Sequence, residues 1–124
     1  MDQLRVLVAD EHPIVIETLR TFLRGDAEIE IVGAANNRAD SLIELQHLQP
    51  ACIIVDLTQS IMNNMEMLKL YLKELPNLEI VAYTDDTGII IVNKTVQAHL
   101  RAYVSKSAPV MDLVNTLREI HHKR

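Results

Sequence analysis

The chain has 124 residues, 48% of them hydrophobic and 23% charged, with a formal net charge of −5 and a single cysteine. That length supplies one sizeable core and not two, so residues 1–124 read as a single domain. The acidic balance excludes a broad basic surface for nucleic acid, and the lone Cys52 excludes an internal disulfide and makes a zinc cluster unexpected. No apolar run approaches ~18 residues and the start, MDQLRV, does not resemble a leader, so a cytoplasmic protein without a membrane partner is expected.

Apolar blocks alternate with segments of helical period from end to end, with no internal repeat, low-complexity tract or Gly/Ser linker. Leu4 to Ala9 predicts a first strand. A helix follows from Pro13, with Val15, Leu19, Phe22 and Leu23 at the spacing of one face and Gly25 as its stop. IEIVGA at 29–34 alternates at its start, as an edge strand does, whereas ACIIV at 51–55 and LEIVAY at 78–83 are apolar enough to be covered on both faces. Helices are predicted over 37–49, 62–75 and roughly 87–99, the first two ending before Pro50 and Pro76. AYV at 102–104 is a short last strand. Ser107 and Pro109 then start a helix whose face is Val110, Leu113, Val114, Leu117 and Ile120.

Strands joined through helices run parallel with right-handed crossovers, which predicts an α/β doubly wound sheet in a three-layer sandwich. All strand C-termini then share one edge, where ligands of such sheets bind. Asp10 and Glu11 leave the first strand there, Asp56 the third and Thr84 the fourth, and Lys106 lies just beyond the fifth. Gathered carboxylates repel one another unless a cation compensates, and an all-oxygen set suits Mg²⁺. A lysine and a hydroxyl opposite such a site suit a transferring phosphoryl group, with Asp56 as the nucleophile.

VADEHPIV, IIVDL, VAYTD and AYVSKSAP, at the ends of the first, third, fourth and fifth strands, resemble the receiver domain of two-component response regulators over the whole chain. The ADEHPIV stretch and the SAPVMDLVNTLREI helix are most similar to receivers that precede a C-terminal helix-turn-helix output domain. The resemblance implies a flavodoxin-like (βα)₅ fold with strand order 2-1-3-4-5. It implies Asp56 as phospho-acceptor, with Asp10, Glu11, Asp56 and the backbone carbonyl of Thr58 around Mg²⁺. It also implies Thr84 and Lys106 as phosphate contacts, and Tyr103 as the aromatic that swings inward on phosphorylation. The partners implied are a sensor histidine kinase or phosphotransfer protein, and DNA only through a separate output domain controlling transcription. The resemblance further implies that the face of the fourth helix, fifth strand and fifth helix carries the output.

Several positions depart from that pattern. Ser60 and Asn64 stand where a proline and a glycine are common, and Asn64 is a tolerable replacement if that position needs a positive φ. Glu11 replaces the usual aspartate and is one methylene longer, while His99 and Ala102 replace glycines before the last strand. Within GIIIV at 88–92 the sheet cannot cover every side chain, so Ile90 and Ile91 are candidates for an output or homodimer surface. His12 is expected at the surface rim and not as a metal ligand, and His121 and His122 suit a helix C-terminus. The other readings are a pseudo-receiver that only binds proteins, a dehalogenase-type phosphatase, which needs an acid at Thr58, and a flavodoxin, which needs a phosphate cradle where Asp10 and Glu11 stand.

Overall fold

The computed structural model describes residues 2–57, 61–85 and 94–124. Strands β1 (Leu4–Ala9), β2 (Ile29–Ala35), β3 (Cys52–Val55), β4 (Glu79–Thr84) and β5 (Ala102–Ser105) alternate with helices α1 (Pro13–Leu23), α2 (Arg38–Leu48), α3 (Ile61–Glu74), α4 (Lys94–Gln97) and α5 (Val110–His122). The sheet is wholly parallel, in the order β2-β1-β3-β4-β5. This is the flavodoxin-like order. The most completely buried strands, β1, β3 and β4, occupy its centre, where both faces are covered.

Alternation along the strands divides the core in two. Val6, Val8, Ile54 and Val81 face α1 and α5, packing on Leu19, Leu113, Leu117 and Ile120. Leu7, Ile53, Val55 and Ile80 face the other way, onto Leu45 of α2, Leu68 and Tyr71 of α3 and Val96 of α4. Burying each such side chain contributes about 1.5–3 kcal/mol. Cys52 belongs to the first layer, fully buried, and burial pushes its thiol pKa up, as suits an inert core residue.

Helix ends follow local chemistry. Asn37 caps α2 by accepting from the Asp40 N–H at 2.8 Å. Gln49 closes it in the left-handed region (φ 49°), its N–H on the Leu45 carbonyl, immediately before Pro50. Gly25, at φ 73°, turns the chain out of α1, a conformation that a side chain would resist. Asn64 lies inside α3, within the helix predicted over 62–75, and is absent from the residues with positive φ, so the position does not call for a left-handed residue. At the turn before β5, the N–H groups of His99 and Leu100 bond the carbonyls of Val96 and Gln97, and neither His99 nor Ala102 has positive φ. A helical turn there removes the need for glycine. Thr58, Ser60, Ile90 and Ile91 lie outside the described residues.

Candidate functional site

Strand register determines which side chains meet. Ala9 pairs with Val55, so Asp10 and Asp56 emerge side by side from the two central strands. Thr84 pairs with Ser105 one strand further on, and the next residue, Lys106, continues the ladder with its N–H on the Thr84 carbonyl at 2.7 Å. Asp10, Asp56 and Thr84 are all buried at this edge.

The Lys106 ammonium bridges the two carboxylates, with Nζ 2.7 Å from Asp10 Oδ2 and 2.9 Å from Asp56 Oδ2. Thr84 Oγ1 donates to the other oxygen of Asp56 at 2.9 Å. Burial works against a charged lysine here, yet hydrogen bonds and charge from Asp10 and Asp56 outweigh it and raise the Lys106 pKa. Lys106 also stands 6.0 Å from the Tyr83 ring centroid. The cluster thus holds two buried carboxylates against one ammonium. That imbalance, on an oxygen-rich set, fits a further cation.

Other expected members are placed differently. Glu11 lines the small cleft beside Asp10 and Asp56 but is exposed, and it is not part of the group whose ligand atoms converge. His12 is. Its ring Nδ1 lies 2.9 Å from Asp10 Oδ1 and 3.8 Å from Asp56 Oδ2, while the side chain itself stays exposed at the rim of the cleft. Proline at the next position holds His12 extended as the N-cap of α1, and its N–H bonds Asp10 Oδ1 at 2.8 Å, which folds the ring back over the acid. Among the described residues, Asp10, His12 and Asp56 are the group of potential metal-binding side chains, with donor atoms within 4.8 Å of one another. Tyr103 is half-exposed on β5.

Arg38 and Asn64 were not legible as site residues. Arg38 lines the cleft with Asp10 and Asp56. Its Nη2 donates to Asn64 Oδ1 at 2.7 Å, and Asn64 Nδ2 donates to the Leu57 carbonyl at 2.7 Å. The edge rule applied to β2, as to the other strands, points to the Asn36-Asn37-Arg38 turn. No pattern in sequence pairs Arg38 with Asn64.

The chain matches the family model described as response regulator receiver domain over residues 6–118. It is 27% identical over 118 residues to the transcriptional regulatory protein YhcZ of Bacillus subtilis, covering 95% of this chain and 55% of that one. It is 24% identical over 119 residues to the response regulator VraR of Staphylococcus saprophyticus, covering 96% and 57%. The chain therefore spans little more than half the length of these relatives. Its fold is similar to RcsB of Salmonella enterica serovar Typhimurium bound to promoter rprA, with TM-score 0.80, 23% identity and coverage of 94% and 97%. It is also similar to the receiver domain of AraT from Geobacillus stearothermophilus, with TM-score 0.84, 20% identity and coverage of 98% and 95%. With the receiver match spanning nearly the whole chain on a parallel 2-1-3-4-5 sheet, this protein belongs to the receiver domains of two-component response regulators.

Proposed function

We propose that Asp56 accepts the phosphoryl group by which this receiver is switched, with Thr84 and Lys106 as the phosphate contacts and Asp10 as an acidic partner. The observation that carries the reading is the hold on Asp56: one carboxylate oxygen on the Thr84 hydroxyl, the other on the Lys106 ammonium, beside a second buried carboxylate. A buried acid with both oxygens directed by a donor and a cation has the charge and orientation of a nucleophile toward phosphorus.

In the transfer, an Asp56 oxygen forms a bond to phosphorus as the phosphorus–nitrogen bond of a phosphohistidine breaks, and the electron pair leaves with the imidazole. With a small acyl phosphate, the bond broken is phosphorus–oxygen and the carboxylate departs. The Lys106 ammonium stabilises the charge on the transferring oxygens and the Thr84 hydroxyl donates to one of them. Asp10 and Asp56, with Glu11 at the cleft rim and the backbone of Thr58, are the residues that would hold Mg²⁺. Bound there, the ion supplies neutralisation of the oxygens gathered around phosphorus.

Residues 1–124 act as one receiver domain, and the donor is a sensor histidine kinase or phosphotransfer protein. The output is control of transcription through a separate DNA-binding portion, as the relatives named as regulators support. Tyr103, half-exposed on β5, reports the switch by turning inward. A complete set of acid, hydroxyl and lysine does not favour a phosphorylation-independent binding module.

The test is incubation of the chain with acetyl phosphate and Mg²⁺, read by intact mass. Wild type gains one phosphoryl group and Asp56→Asn gains none. A wild type left unmodified under conditions that load a control receiver would refute the reading.

A further inference from the structure

We propose that Arg38 and Asn64 form a clamp that sets the backbone immediately after Asp56, making them positioning residues for phosphoryl transfer; this rests on Asp56 being the acceptor. Asn64 is fully buried in the first turn of α3, an unusual place for a primary amide, and both ends of that amide are used. Its Nδ2 donates to the Leu57 carbonyl and its Oδ1 accepts from Arg38 Nη2, each at 2.7 Å. Only one orientation of the amide meets both partners, because a carbonyl needs a donor and a guanidinium needs an acceptor.

Leu57 directly follows Asp56, and its side chain is buried against the same core layer as Tyr71. A carbonyl held one residue beyond the acceptor is separated from the Asp56 Cα by one planar peptide and the two Leu57 backbone angles, so fixing it limits where the Asp56 backbone can sit. The clamp also ties α2 to α3. Arg38 opens α2 behind β2 and lines the space next to Asp10 and Asp56, while Asn64 opens α3 behind β3. The intervening Thr58-Gln59-Ser60 contains no proline to restrict its backbone. The Asn64 amide restrains Leu57, the residue just ahead of that stretch. An aspartate at 64 keeps the contact with Arg38 but cannot donate to Leu57, and an alanine removes both contacts and leaves a buried carbonyl without its donor.

The test measures phosphorylation of the 124-residue chain by acetyl phosphate with Mg²⁺, as rate against donor concentration, for wild type, Asn64→Ala, Asn64→Asp, Arg38→Ala and Arg38→Lys. Both Asn64 variants should lose roughly tenfold in rate at saturating donor, with the half-saturating donor concentration unchanged. Arg38→Ala should lose less, about threefold, and Arg38→Lys should recover most of that loss. If Asn64→Ala does not fold, the partly exposed Arg38 pair decides the matter. Maximal rates equal to wild type, even with a lowered thermal midpoint, would make the pair merely structural and overturn the clamp. A change confined to half-saturation would assign Arg38 to donor binding and overturn it as well. An unmodified wild type would instead overturn the Asp56 reading and the clamp together, whereas a modified wild type with equally modified variants overturns the clamp alone.

Discussion

Lys106 and Asp56, fifty positions apart in sequence, meet at 2.9 Å where the sheet's central strands end. The same ammonium reaches Asp10, so one cation holds two buried acids together. Replacing it with an apolar side chain of similar length leaves those acids facing each other. Lys106→Met should lower stability by about 2 kcal/mol, discounted because the lysine keeps some contact with water, and Mg²⁺ should restore part of the loss. Urea unfolding with and without Mg²⁺ checks both effects.

The raised Lys106 pKa also determines a pH window. A folded-state value above the unfolded one makes the contribution fully present below the ordinary lysine value of 10.5 and lost as pH climbs through the higher folded value. The urea-midpoint difference between wild type and Lys106→Met should therefore stay level from about pH 6 to about pH 9 and shrink only in stronger alkali.

Thr84 buries its hydroxyl against a charged acceptor. Thr84→Val keeps the shape and removes the donor, which should cost about 1.5–3 kcal/mol and slow phosphorylation. Thr84→Ser should restore the rate while leaving a small packing deficit. Thermal unfolding and adduct formation by mass separate the two effects.

Of the three tyrosines, Tyr71 and Tyr83 are 1% and 6% exposed, whereas Tyr103 is 47% exposed. Quenching of tyrosine emission by acrylamide therefore reports mainly on Tyr103. Loading with beryllofluoride and Mg²⁺ should reduce that quenching if the ring turns inward, and Tyr103→Phe serves as the control. Unchanged quenching on a loaded protein would rule out the inward turn.

Arg118 on α5 ties down the turn between α1 and β2 through Asp26 at 2.7 Å. Burial raises the Asp26 pKa, but hydrogen bonds from the Glu28 backbone, Arg118 and the Ile29 backbone together take it below the ordinary 3.8. A depressed carboxylate stabilises the fold above its unfolded value, and that contribution is lost as pH falls through the folded one. Arg118→Ala should thus unfold at lower urea than wild type near neutrality, and the gap should close as pH drops below 3.8.

What the sequence determined by itself was everything with a local cause. Runs such as CIIV and IVAY are apolar on every residue because both faces of a central strand are covered, so their number, their parallel sense and the edge where they end could be read directly. Asp10, Asp56, Thr84 and Lys106 were nameable because each directly ends a strand at that edge or lies just beyond it. Tertiary structure alone decided the contacts that cross between elements. His12 folds over Asp10 because the turn into α1 bends back, Glu11 stays outside the converging group, and Asn64 meets Arg38 from inside α3. Those outcomes depend on distances of a few ångströms between separate segments. Hydropathy and spacing along one chain carry no record of them.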